Sequence, residues 1–248
     1  MNAVTETTQT ATRRVPVYEA LAHDVKAMGV DTVFGLMSDD TAHFGVTLDA
    51  IGIKFLGARH ENIAITMADG YASATGRLTV LCIGRGPALA NGLHGATFAS
   101  RTGNPLLLIY GEAPHAAAGS NGPGPDYKAL DQVGVLKAAG IRTFVPASAD
   151  SARQTLADAA AAACEGQTVA YLMPVDVQLQ EVDVPVDEPP AEAIAAGPLA
   201  RRNVAEAPAQ SIAAAAAVLA SAKKPLIMGG YGAYKAGARD ALIALAEK

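Results

Sequence analysis

Short apolar runs alternate along the chain with longer amphipathic or alanine-rich stretches. The runs "DTVFGL" (31–36), "IKFLGA" (53–58), "LTVLCIG" (78–84), "PLLLIYG" (105–111), "IRTFVP" (141–146) and "TVAYLMP" (168–174) read as strands. Several are continuously apolar rather than alternating, the pattern of strands covered on both faces. Helical patterns fill 17–29, 40–50, 61–75, 87–101 and 150–164. The alternation predicts an α/β three-layer sandwich around a mostly parallel six-stranded sheet.

Two stretches interrupt this rhythm. "GEAPHAAAGSNGPGPDYKALDQVG" (111–134) is Gly/Pro-rich and too long for an ordinary connection, as functional or mobile loops are. "LQEVDVPVDEPPAEAIAAGPLARRNVAEAPAQ" (179–210) is acidic, Pro-rich and aperiodic, as an interdomain linker is. The expected division is a polar, disordered tail over 1–14, a first domain over 15–180, a linker over 181–207, and the start of an incomplete second α/β domain over 208–248. In that last segment the pattern reads helix, strand, Gly-turn, helix, too little to bury its own faces. The chain is therefore expected to be part of a longer architecture.

Half of the 248 residues are hydrophobic and 17% are charged, which fits a large core. A net charge of -5 without a basic cluster argues against a nucleic-acid partner. The apolar runs are shorter than the roughly 20 residues a bilayer span needs, so no membrane association is expected. Cys82 and Cys164 sit in apolar contexts and read as reduced core residues, in keeping with a cytoplasmic location. With five scattered histidines and no Cys-x-x-Cys, nothing points to a structural zinc site.

The candidate chemistry centres on "FLGARHENIAITMADGYASATG" (55–76). Here a strand stops at Arg59-His60-Glu61 and a helix of apolar and small residues begins. Ligands of parallel α/β sheets lie beyond the carboxyl ends of the strands, where Glu61 falls. A glutamate in a first helical turn can simply complement the helix dipole. Leading into a helix read as buried, it would also be partly desolvated, and desolvation favours a carboxyl group that holds or shares a proton. "GRGPALANG" (84–92) likewise joins a strand to a helix; a dinucleotide fingerprint would need glycine at Leu89, so that reading is weak.

"RHE…MADGYASATG", "GRGPALANG" and "GNPLLLIYGEAP", in this order, resemble the N-terminal, pyrimidine-binding domain of thiamine-diphosphate-dependent enzymes. The group in question holds acetolactate synthase, pyruvate oxidase and benzoylformate decarboxylase. "GVDTVFGL" is similar to that domain's first strand, "MPVDVQ" to its end, and "SAKKPLIMGGYGA" to the start of the central domain. The resemblance implies that Glu61 shares a proton with N1′ of the cofactor's aminopyrimidine ring, and that Gly86, Pro87 and Asn91 line the pyrimidine pocket. Ala88 and Arg85 depart from the family's pattern. It further implies a 2-oxo acid or aldehyde substrate, and a homodimer, tetramer or complementary chain that completes the site. The diphosphate and Mg²⁺ would be held through a Gly-Asp-Gly element; the single Asp-Gly pair, Asp69-Gly70, lies inside the Glu61 helix, so that half is expected from elsewhere.

Three further residues are candidates for contact with substrate. Arg85 either pairs with an anionic substrate group or is a solvated surface arginine. Asp39 either acts on substrate or, like Ser38, caps the following helix. Lys128 follows Tyr127 where related carboligases carry Phe-Gln. His60 either orients Glu61 or fills space, and His115 reads as a solvated loop residue. The competing functions are a dinucleotide-binding dehydrogenase domain and a non-catalytic subunit that pairs with a partner through exposed apolar surface.

Overall fold

The computed structural model describes residues 12–119, 124–185 and 206–248. The chain divides into two units, Met1–Leu199 and Ala200–Lys248.

In the first unit β1 (Thr12–Pro16) leads into α1 (Val17–Ala27). The repeats β2 (Thr32–Leu36), α2 (Ala42–Ala50), β3 (Lys54–Gly57), α3 (Glu61–Thr75), β4 (Thr79–Ile83), α4 (Pro87–Thr102) and β5 (Leu106–Glu112) follow. After a 3₁₀ turn at His115–Ala117 come α5 (Gln132–Ala138), β6 (Arg142–Phe144), α6 (Ala149–Cys164), β7 (Thr168–Pro174), α7 (Val175–Gln178) and β8 (Glu181–Pro185). Six strands form one sheet in the order β3-β2-β4-β5-β7-β6, with every pair parallel.

Strand residues alternate between two cores, as their period of two dictates. Val80, Cys82, Leu107 and Ile109 face Leu21, Leu48 and Leu156 of α1, α2 and α6. Leu81, Ile83, Leu106 and Leu108 face Ile65, Leu89 and Leu136 of α3, α4 and α5. The three-layer sandwich is thus the observed fold, and the continuously apolar strands are those covered on both sides. β4 and β5 are buried along their whole length.

The structure differs from the sequence reading at both ends of this unit. Residues 12–14, read as tail, and 181–185, read as linker, form β1 and β8, which pair antiparallel from Thr12↔Pro185 to Pro16↔Glu181. The ribbon is kept because Val15, Val182 and Val184 add apolar surface to the α1–α6 core. The remainder of the expected tail and linker lies outside the described residues. α5 was also not anticipated; it closes the long loop, capped by the Asp131 side chain, which accepts from the Gly134 N–H at 2.9 Å.

The second unit holds α8 (Ala209–Ser221), α9 (Tyr231–Lys235) and α10 (Arg239–Ala246). None of their residues is buried. The strand expected within "PLIMGG" is not formed; residues 225–230 take no regular structure. A strand needs a neighbour for its N–H and C=O groups, and among the described residues this unit has none.

Candidate functional site

Strands β3, β2, β4 and β5 are lateral neighbours, so the loops at their carboxyl ends converge on one rim. These loops carry Glu61, Asp39 and Asp40, Arg85 and Gly86, and Glu112.

Glu61 opens α3. His60 before it is extended (φ -157°, ψ 139°) and caps the helix, its Nδ1 accepting from the Asn62 N–H at 3.2 Å. A histidine acceptor at the N-cap explains the Arg-His-Glu break: the cap satisfies a free helical N–H while the next side chain turns inward. The Glu61 side chain is only 12% exposed, and its Oε2 accepts a hydrogen bond from Asn91 Nδ2 at 3.1 Å. Two of the residues assigned to the pyrimidine pocket are therefore in direct contact across α3 and α4.

Gly92 makes that contact possible. A Cβ there would stand 2.7 Å from Ile65 Cδ1 and 3.6 Å from Glu61 Cβ, so glycine lets the two helices close up. At Gly95, one turn on, a Cβ would stand 2.8 Å from Asn62 Oδ1 and 3.2 Å from Ile65 Cβ. Both escaped the sequence reading; two glycines three apart inside a helical pattern were the available signal. The other face of α3 is open. Ile63 and Met67 are 50% and 39% exposed, and Phe98 on α4 is 61% exposed. The helix is therefore half-buried, a correction to its reading as buried all round: its small and apolar residues line an uncovered face as well as a packed one.

Gly86 is the N-cap of α4 (φ 61°, ψ -114°), with Pro87 in the first turn. The positive φ favours glycine, and a Cβ would meet the Lys128 carbonyl oxygen at 2.1 Å. The long loop thus crosses directly over the turn. Leu89, where a dinucleotide fingerprint would need glycine, is fully buried.

Asp39, Arg85 and Lys128 are also brought together, but into a cluster that consumes their charges. Arg85 donates through Nε to Asp40 Oδ1 (2.9 Å) and through Nη1 and Nη2 to Asp126 (2.8 and 3.1 Å). Lys128 Nζ donates to Asp40 Oδ2 at 2.9 Å and to Asp39. Arg85 is 14% exposed and so is not a solvated surface arginine. Neither Ser38 nor Asp39 caps α2. A turn closed by the Thr41 N–H to the Ser38 carbonyl delays the helix, whose N-cap is Thr41, and Ser38 Oγ donates instead to Asp39 and Asp40. The Lys128 ammonium, aided by Ser38, holds the Asp39 carboxyl down at about 2. Burial opposes the charges of Arg85 and Lys128, yet their carboxylate partners outweigh it and push both upward.

Sequence reasoning missed Asp40, Asp126, Glu112 and Gln132, because their roles depend on partners 20 to 138 residues away. His115 is not a free loop residue either: its ring lies 3.2 Å from Asp176 and 3.1 Å from the Pro146 carbonyl. Among the described residues no group of three or more His, Cys, Asp or Glu is arranged to hold a metal ion. No helix among them is long and apolar enough to cross a membrane.

Residues 16–135 match the family model described as "Thiamine pyrophosphate enzyme, N-terminal TPP binding domain". Acetolactate synthase isozyme 2 large subunit of Escherichia coli (strain K12) is 29% identical over 224 residues, covering 90% of this chain and 38% of that protein. The Pseudomonas aeruginosa "Probable 2-ketoarginine decarboxylase AruI" is 31% identical over 232 residues, covering 93% and 40%. Sulfoacetaldehyde acetyltransferase of Rhodobacter capsulatus is 25% identical over 246 residues, covering 95% and 38%. The chain thus spans about two fifths of the length of these curated relatives.

Proposed function

With residues 16–135 belonging to the N-terminal TPP-binding domain of the thiamine pyrophosphate enzymes, we propose that this chain is the pyrimidine-binding part of a thiamine-diphosphate-dependent lyase, carboligase or decarboxylase. Its substrate is a 2-oxo acid or an aldehyde, chemistry in keeping with the names of its relatives. The observation that carries the proposal is the Glu61–Asn91 pair: a nearly buried carboxyl group at a rigid helix start, held by one amide.

The residues fit one half of the cofactor. A basic ring nitrogen needs an acid held largely out of water, and Glu61, 12% exposed and fixed by Asn91, offers that. When bound, the cofactor supplies a nucleophilic carbon and an electron sink for carbonyl chemistry. In this reading Glu61 holds and returns a proton at the ring nitrogen N1′. Asn91 fixes the carboxyl rotamer, and the Gly86-Pro87 turn walls the pocket without side-chain bulk. The diphosphate and Mg²⁺, which call for carboxylates together with phosphate oxygens, are assigned to a region outside this chain. That region, from a second copy in a homodimer or tetramer or from a complementary chain, would cover Ile63, Met67 and Phe98, an apolar stripe that water solvates poorly. A cytoplasmic setting belongs to the same proposal, on the two free cysteines.

The test is Glu61→Gln in the enzyme assembled with its diphosphate-binding region. Turnover is expected to fall by about 10²–10⁴, the usual worth of a positioned acid–base group, with thermal stability retained. Full cofactor-dependent turnover by Glu61→Gln would sink the proposal. This chain alone should bind thiamine diphosphate weakly and without Mg²⁺ dependence in calorimetry. Tight, Mg²⁺-dependent binding would contradict the division of the site.

A further inference from the structure

Gly86 sets where α4 begins, and therefore where Asn91 stands against Glu61. Its N–H lies at the helix start, where no intrahelical acceptor exists. Gln132 Oε1 fills that need at 2.9 Å. The other end of the same amide donates to the Gly111 carbonyl at 2.9 Å and to Glu112 Oε2 at 2.8 Å. The second Glu112 oxygen accepts from the Ala113 N–H at 2.7 Å. Gln132 is 1% exposed and Glu112 is 4% exposed, so these bonds are made away from water. One buried amide joins the start of α4, the end of β5 and the first residue of α5.

The geometry points to Gln132 as a positioning residue for the Glu61–Asn91 pair, acting through the Gly86 turn and held in orientation by Glu112. Its relevance to cofactor chemistry rests on the pyrimidine-site reading above; the coupling itself does not. Only an amide suits the position, since a backbone N–H requires an acceptor while the Gly111 carbonyl and the Glu112 carboxyl require donors. An apolar side chain would leave all three without partners in the interior. A carboxyl group would face Glu112, which burial already pushes upward against the bonds from Gln132 and Ala113. Two such groups in contact share one proton. The other charges acting on Glu112 are Arg85, which favours its ionised form, and Asp131, which opposes it.

The experiment uses the whole chain and needs no cofactor. NMR would follow exchange of the Gly86 amide and the side-chain amide resonances of Asn91 in wild type, Gln132→Leu and Gln132→Glu. Gln132→Leu should speed Gly86 exchange by about tenfold or more, the loss of one buried hydrogen bond, and shift the Asn91 resonances. Amides of α6, on the far side of the sheet, should stay protected. Gln132→Glu should match the leucine variant near pH ~8 and return towards wild type near pH ~5 as one of the paired carboxyls gains a proton; Gln132→Leu should show no such recovery. Unchanged Gly86 exchange, an unmoved Asn91, or a pH-independent Gln132→Glu would each overturn the inference. If Gln132→Leu does not fold, the pH series of Gln132→Glu decides alone. Failure of the cofactor reading shows separately, as undiminished turnover in Glu61→Gln.

Discussion

Two groups of polar side chains stand on the same rim and differ in how their needs are met. Around Asp40, five charged residues answer one another: Arg85 and Lys128 supply the donors, and Asp39, Asp40 and Asp126 the acceptors. Around Glu61 there is one amide, from Asn91. A cluster that satisfies itself holds structure, here the end of the long loop over Gly86. A carboxyl group held by a single donor keeps lone pairs for a ligand. The candidates for substrate contact and the candidate acid therefore separate by the state of their partners rather than by residue type.

The largest expected effect that sharpens this contrast is on activity. Asn91→Ala removes the amide that orients Glu61 but touches an exposed position, so turnover of the assembled enzyme should fall by about tenfold or more. The unfolding free energy from denaturant titration should change by less than about 0.5 kcal/mol. Asp40→Ala should show the reverse. It takes one carboxylate from two cations whose side chains are 14% and 13% exposed, leaving Arg85 with Asp126 and Lys128 with Asp39, and losing hydrogen bonds to charged groups in this way costs about 1.5–3 kcal/mol. Equal losses of stability in the two variants would erase the distinction between the regions.

The same contrast explains what could be read from the sequence. α3 was legible over its whole span, 61–75, because a strand run, a polar break and a helical pattern succeed each other locally, ending in Gly76 with a left-handed φ of 68°. The strands of the sheet were legible because burial on both faces removes polar residues from them. Glu61 was legible through its place at a strand end and through a family resemblance. The partners of Arg85 and Lys128 were not: an ion pair between residues 45 or 88 apart leaves no periodic trace. The β1–β8 ribbon failed for the same reason, being a pairing of chain ends within segments whose composition reads as tail and linker. α5 is only seven residues long and sits in Gly/Pro-rich surroundings, too short for its period to register.

Gly92 tests whether the Glu61 region depends on close approach. Gly92→Ala brings a methyl group to 2.7 Å from Ile65 Cδ1. That atom is the end of a flexible side chain, so a loss of about 1 kcal/mol is expected, towards the low end for overpacking. The helices must separate slightly, so the Asn91–Glu61 bond should lengthen, visible as a shift of the Asn91 side-chain amide resonances. An unshifted resonance would mean that the pair does not rely on this glycine.

The smallest effect belongs to Asp39, the outermost member of the charged cluster. Its side chain is 74% exposed although it pairs with Lys128. The folded protein holds its carboxyl at about 2, against an ordinary value of 3.8. A depressed carboxylate contributes stability that is present above the unfolded value and disappears as pH falls through the folded one. The contribution should therefore be full above pH ~4 and fade towards pH ~2. Solvent screening at so exposed a site limits it to under about 1 kcal/mol, and salt should reduce it further. Asp39→Asn should lower the unfolding midpoint slightly at neutral pH and converge with wild type in acid. A gap that persists in acid would show that Asp39 acts through something other than its charge, and would move it from the self-satisfied cluster to the side of Glu61.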